Sequence, residues 1–237
     1  SADACRFAAS RFSPTRVRGE YRRVLSEARD ERDAGTAPLA HARGDQVGAM
    51  KPIAAGSDKT TEGWMNDDVI LLRQNLSFQI AHSDLNPYCF RAAIAPHIAA
   101  AQENITIDFD KIMQSLEKIT TQADSVFVEG AGGFKVPLGD HLDMADLAVA
   151  LKLPVILVVG MRLGCLNHAL LTQDAIRSRG LTLAGWVANT LDPAMPVFAE
   201  NITALKQRLN APLLGIVPYL SPPDYSELHQ LPLRLPD

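Results

Sequence analysis

The stretch Ser125-Val126-Phe127-Val128-Glu129-Gly130-Ala131-Gly132-Gly133 joins an apolar run to a loop with three glycines in four positions, and one carboxylate, Glu129, stands at the junction. A short apolar run bounded by glycines suits a strand covered on both faces, as in the middle of a parallel sheet flanked by helices. In open α/β sheets the ligand crevice lies beyond the carboxyl ends of the strands. Glu129 therefore falls where a functional group is expected.

Upstream of this strand, Phe109, Ile112, Met113, Leu116 and Ile119 recur at spacings of three and four, which predicts an amphipathic helix leading into it. Further upstream a strand is expected over 47–50, a loop over 51–57 and a helix over 65–74, with Asn66, Asp67 and Asp68 in its first turn near the favourable end of the helix dipole. A helix over 92–102 should start or kink at Pro96. Downstream, helices are expected over 142–151, 166–179 and 197–209, and strands over 155–159, 183–188 and 213–217. Strands alternating with helices of this length predict a doubly wound, mostly parallel α/β sheet, because parallel strands need crossover helices. After Pro218 the chain is proline-rich and aperiodic, and loops are expected.

Residues 1–46 differ from the rest. They hold nine arginines, no lysine and seven acidic residues, and only Val17, Val24, Leu25 and Leu39 as large aliphatic side chains. No strand is expected there. Residues 20–33 suit a charged, solvent-facing helix, and much of the segment has too little apolar surface to offset the entropy lost on folding. The expected organisation is an anomalous segment over 1–42 and one α/β domain over 43–237.

The 237 residues suffice for a substantial core, and 47% hydrophobic with 21% charged residues is an ordinary globular composition. A net charge of −4 gives no basis for nucleic-acid or membrane-surface binding, no stretch has the apolar length of a span, and the N-terminus, with Arg6 and Arg11, has no apolar h-region of a secretory signal. A cytoplasmic protein is the expectation. Cys5, Cys89 and Cys165 are too scattered for a disulfide framework or zinc site, and the six histidines are equally dispersed. His97 and His168 lie in helical patterns and read as packing or surface residues, and Trp186 reads as core.

Each predicted strand delivers something usable at its end: Lys51, Glu129, Gly160 with Gly164-Cys165-Leu166-Asn167, Asn189, and Pro218 with Tyr219. A lysine and two carboxylates, Asp68 and Glu129, around glycine-rich backbone is the set expected for phosphate and magnesium. Magnesium is held by one or two carboxylates with phosphate oxygens and water. Lysine gives a point charge for phosphate, and Gly130, Gly132 and Gly133 let backbone N–H groups approach an anion. Each feature also has a plain structural reading: the glycines as a tight turn, Asp68 as a dipole partner, Cys165 as packing.

Lys51-Pro52-Ile53-Ala54-Ala55-Gly56 with Asn66-Asp67-Asp68, then Pro96-His97, Val128 to Gly133, Pro154 to Gly160 with Leu163 to His168, and Gly185 to Asn189 closely resemble the dethiobiotin synthetases of biotin biosynthesis. The resemblance runs in order from about Arg43 to about Tyr219. It implies the P-loop NTPase fold, a homodimer with substrate at the subunit interface, and an ATP- and magnesium-dependent ligase that closes the ureido ring of dethiobiotin from 7,8-diaminononanoate and CO2. Carried over, Lys51 would act on carbamate and phosphate oxygens as the catalytic residue, with Ser57 assisting, and Asp68 and Glu129 would hold magnesium. Gly130, Ala131, Gly132 and Gly133 would face the diamine and its carbamate. Gly164, Cys165 and Asn167 would receive the substrate's carboxylate tail, and Asn189 with Pro218 would recognise adenine.

The resemblance breaks at its start. The family opens with a strand and a Walker-type loop, yet no G-x-x-x-x-G-K-[ST] occurs in the 237 residues. The first strand and loop are therefore expected to be missing or replaced, residues 1–42 being a foreign or out-of-frame segment. Two further readings follow: an inactive relative that keeps the dimer but not ATP binding and acts as a binding protein, and another ATPase of the same broad fold.

Overall fold

A computed structural model describes residues 44–219 in full and the backbone of residues 20–26. Its centre is a six-stranded sheet. The strands are β1 (Glu20–Ser26), β2 (Val47–Met50), β7 (Ser125–Glu129), β8 (Val155–Met161), β9 (Leu183–Thr190) and β10 (Leu213–Val217), in the order β10-β9-β8-β1-β7-β2. All five pairings are parallel. The expected doubly wound architecture is thus present.

The described helices are α1 (Asp67–Gln74), α2 (His82–Leu85), α3 (Pro96–Gln102), α4 (Phe109–Thr120), α5 (Met144–Leu151), α6 (Cys165–Ser178) and α7 (Phe198–Arg208). Pro96 occupies the first turn of α3, where its missing N–H costs nothing. Asp108 caps α4, and Asp143 and Asp146 form a reciprocal capping box at α5. Two strands run past their sequence-predicted ends, because Gly160 and Met161 of β8 pair with Asn189 and Thr190 of β9.

Side chains alternate across the sheet. Val126 and Val128 of β7 pack with Ile112, Leu116 and Ile119 of α4, while Phe127 packs on the opposite face with Val47, Ile156, Val158 and Val187. Val155, Leu157 and Val159 of β8 meet Trp186, Ala169, Ile176 and Leu205 in a third cluster, where Trp186 is fully buried as expected.

The N-terminal expectation needs correction. Residues 20–26, read as a helix and as part of a segment replacing the first strand, form β1 in the middle of the sheet. There β1 pairs with β7 from Glu20↔Ser125 to Val24↔Glu129 and with β8 from Arg23↔Val155 to Ser26↔Val158. The physical reason is the slot itself: without a strand there, β7 and β8 would each present a row of unpaired backbone groups inside the domain. Backbone pairing overrides a side-chain pattern unlike that of a buried strand. The expected Walker-type position, following β1, falls on residues 27–43, outside the described residues, as do 1–19 and 220–237.

Two smaller strand pairs also escaped the sequence pattern. The predicted 51–57 loop contains β3 (Ile53–Ala55), paired in parallel with β6 (Tyr88–Phe90), and it leads into a hairpin of β4 (Asp58–Thr60) and β5 (Gly63–Met65). Among the described residues no helix is long and apolar enough to cross a membrane.

Gly185 shows how tightly the β9–β10 edge is packed. A Cβ there would lie 2.6 Å from Leu214 Cδ2 and Cγ and 2.7 Å from Cδ1, where the β9–β10 register shifts. Because Cγ is near the stem, the whole leucine would have to move. Gly185→Ala is expected to lower stability by ~1–3 kcal/mol in urea unfolding. Combining it with Leu214→Ala should cost clearly less than the sum of the two single changes, and strict additivity would contradict the clash.

Candidate active site

The parallel register of β2 on β7 sets the centre of the site. Met50 pairs with Val128, so the next residues, Lys51 and Glu129, leave adjacent strands side by side at the carboxyl edge. Lys51 Nζ donates to Glu129 Oε1 at 2.5 Å and to Asp68 Oδ2 at 2.7 Å. Asp68 comes from the first turn of α1, whose cap is Asn66. Lys51 and Glu129 are buried, whereas Asp68 retains 30% of its side-chain exposure and opens the group to solvent.

Backbone contacts hold Lys51 in place. Its N–H donates to Leu85 O at 2.8 Å, and its carbonyl accepts from Asn86 Nδ2 at 2.6 Å. Asn86 also donates to Tyr88 O at 3.0 Å, which couples the lysine to β6. Ser57 is buried as well, with its hydroxyl donating to Phe90 O at 2.9 Å and lying 3.0 Å from Cys89 Sγ. The loop bearing Ser57 is fixed by Gly56 N–H to Phe90 O and Ser57 N–H to Arg91 O.

Electrostatics favour a charged lysine. Desolvation is the largest single influence on Lys51 and works to lower its pKa, but the combined attraction of Glu129 and Asp68 outweighs it and the net shift is upward. For Glu129, burial pushes the carboxyl above its ordinary value. Lys51 opposes that rise and the negative charge of Asp68 adds to it. An ammonium between two carboxylates leaves the group one negative charge in excess, and this surplus favours an incoming cation.

The donor set fits magnesium. Glu129 and Asp68 meet at the Lys51 ammonium, and among the described residues no group of three His, Cys, Asp or Glu gathers that could form a self-sufficient metal site. Two carboxylates suit an ion that takes the rest of its shell from phosphate and water.

The other sequence-predicted residues lie along the same edge. After Glu129, Gly130 and Ala131 are buried, Gly132 is exposed with φ +64°, and Gly133 follows half-buried. Phe134 is buried in the cluster on β8 and β9, which ties down the far end of this loop. Lys135 pairs with Asp143, and Arg179 reaches Asp146 at 2.5 Å, so ion pairs join the loop's exit to α5 and α6. Gly164 caps α6 at φ +97° without a side-chain cap, and Asn167 is exposed one turn on. Cys165, by contrast, turns its side chain into the core. Asn189 and Pro218 are neighbours, because Asn189 pairs with Val217.

A family model described as an AAA domain matches residues 35–224. The ATP-dependent dethiobiotin synthetase BioD of Aromatoleum aromaticum is 54% identical over 187 residues, 79% of this chain and 83% of that protein. The chain belongs to the dethiobiotin synthetase family. The BioD of Nitrosospira multiformis is 50% identical over 199 residues, 83% of this chain and 86% of its own length. Among solved structures, the MinD cell division protein of Aquifex aeolicus aligns with a TM-score of 0.50 at 16% identity, over 86% of this chain and 83% of its own. That likeness concerns the fold alone, the P-loop NTPase architecture expected from the sequence.

Two residues that hold the site together, Asn86 and Asn66, differ in how far the sequence shows them. Asn86 sits in an unpatterned stretch and is defined only by its long-range bonds. Asn66 had a usable signal, since asparagine directly before a helical run is a preferred N-cap.

Proposed function

We propose that this chain closes the ureido ring of dethiobiotin, using ATP, CO2 and 7,8-diaminononanoate. The observation that carries the reading is the hydrogen-bonded Lys51–Asp68–Glu129 group at the carboxyl edge of the sheet, beside a glycine loop. One amine of the diamine adds to CO2 and loses a proton to give a carbamate, and a carbamate oxygen then takes the γ-phosphoryl group of ATP as the bond from Pγ to the β,γ-bridging oxygen breaks and ADP leaves. The second amine then forms a C–N bond to the carbamoyl carbon, the C–O bond to phosphate breaks, and the amine's proton leaves to solvent.

Lys51 is suited to both steps. It stays charged, points into the group, and donates to oxygens on which negative charge accumulates. Asp68 and Glu129 orient it and would hold magnesium, which supplies charge neutralisation on the phosphate oxygens. Ser57 and the 130–133 loop would position the diamine, since two amines held near one carbon gain most from orientation. The N-terminus of α6, where Gly164, Cys165 and Asn167 stand, would receive the substrate's carboxylate tail, with the Cys165 N–H itself already bonded to Arg162 O at 3.0 Å. Asn189 and Pro218 would meet adenine. Leu163, fully exposed beside Gly164, suits burial by a second copy in a homodimer.

The test is direct: incubate the chain with 7,8-diaminononanoate, bicarbonate, magnesium and ATP, and measure dethiobiotin by mass alongside released phosphate. Equal yields of the two products are expected. One observation favours a second reading, the inactive relative, namely that the sequence has no G-x-x-x-x-G-K-[ST]. Diamine binding with neither product, under conditions where the Aromatoleum aromaticum relative turns over, would decide for it.

A further inference from the structure

Asn66 links two arms of the site through one side chain. Its Oδ1 accepts the N–H of Asp68 at 3.0 Å, and its Nδ2 donates to Gly56 O at 2.7 Å. The first bond caps α1 and fixes the helix start that carries Asp68. The second ties down the backbone carbonyl immediately before Ser57. Only one amide orientation satisfies both partners, because an N–H needs the oxygen and a carbonyl needs the N–H.

Between these two anchor points the chain leaves as the β4–β5 hairpin and returns. Gly56 and Asn66 therefore stand at its two feet. Gly56 has φ +84°, and a Cβ there would lie 2.9 Å from Ala93 Cβ, so the foot on the Ser57 side is packed closely on its far side. Exposed hairpins exchange conformations readily unless their ends are pinned. The hairpin is held by an exposed ion pair from Arg73 to Glu62 and by the Arg91 guanidinium over the Trp64 ring at 5.9 Å, both at the surface and weak, and Cys89 Sγ lies 3.5 Å from Trp64 O. The Ser57 foot also bonds to Phe90 and Arg91, so what the half-buried Asn66 bond adds is a direct tie from that foot to the start of α1.

We propose that Asn66 is a positioning residue that sets the distance between the Ser57 loop and Asp68 by its Gly56 bond, over and above its capping of α1. The inference rests on the ligase reading for its kinetic consequence but not for its structural one. Substrate held by Ser57 and phosphate oxygens held near Asp68 must meet within bonding reach, so slack between the two arms is paid in productive geometry.

Two variants separate the roles. Asn66→Ser keeps a good cap but is too short to reach Gly56 O, whereas Asn66→Ala loses both bonds. Asn66→Ser is expected to lower the melting temperature by only about 2–4 °C, the cost of the Gly56 bond alone, since serine caps as well as asparagine. Its kcat/KM for the diamine should fall about tenfold, the scale of one well-placed hydrogen bond. Amide hydrogen exchange should speed up over 55–58 and stay unchanged over 68–71. Asn66→Ala should speed exchange in both segments and also lower the melting temperature. Parent-like kinetics and exchange over 55–58 in Asn66→Ser would overturn the proposal, leaving Asn66 as a cap only. If the parent itself makes no dethiobiotin, the ligase reading fails, and the exchange pattern still decides whether the brace exists.

Discussion

Lys51→Met is expected to abolish measurable ligase activity and to destabilise the protein at neutral pH by ~3–5 kcal/mol, the scale for removing one partner from a buried ion pair. Methionine keeps most of the apolar stem, so lost packing contributes little. What remains is Glu129, buried, facing Asp68 with no cation between them. In the parent, burial already raises the Glu129 carboxyl, and Lys51 is what opposes that rise. Removing the lysine lets burial and Asp68 push it further up.

The pH dependence follows from that direction. A carboxyl whose folded pKa lies above its unfolded value is fully compatible with folding below the unfolded value, and its stabilising contribution is lost as pH rises through the folded one. The deficit of Lys51→Met should therefore be largest at neutral pH and shrink as pH falls toward the ordinary carboxylate range. Lys51 itself, with a raised pKa, contributes fully below its ordinary value of 10.5 in the parent and loses that contribution only above it. Urea unfolding of both proteins over a pH series from neutral down toward the ordinary carboxylate range checks this. A constant offset across the range would show that charge pairing is not what Lys51 provides.

How much of this was legible beforehand depends on where the information lies. β7, β8, β9 and β10 could be read because each is an apolar run whose neighbours along the chain are periodic helices. Lys51 and Glu129 could be read as strand-end residues, and adjacent strands in register then bring them together. β3 and β6 could not, being three residues each and paired across more than thirty positions of chain. β1 was hidden differently: Glu20, Arg22 and Arg23 mask its strand character, and the slot between β7 and β8 defines it. The hairpin at 58–65 bears exposed, mostly polar residues, so no buried face imposed a period of two. Asp68 was visible as a helix-start acid, but its approach to Lys51 depends on Asn66 and the hairpin together.

Glu129→Gln is expected to leave the fold almost intact while lowering kcat by ~10²–10³, the loss typical of removing one preorganised electrostatic group. The stability argument is that glutamine is nearly isosteric, keeps an acceptor for the Lys51 ammonium, and no longer buries a carboxylate whose pKa burial has raised. Lys51 also retains Asp68 at 2.7 Å. A change within ~1 kcal/mol in urea unfolding is therefore expected. The catalytic argument runs through charge. The parent group carries one excess negative charge, and the variant carries none, so the pull on a divalent cation weakens just where a phosphoryl group must be neutralised. Half-maximal activity should then need at least about tenfold more magnesium, and calorimetric titration of ATP should lose its magnesium dependence. Parent-like magnesium dependence in this variant would move the metal away from Glu129. A large loss of stability would instead mean that the carboxylate holds Lys51 in place more than it serves the chemistry.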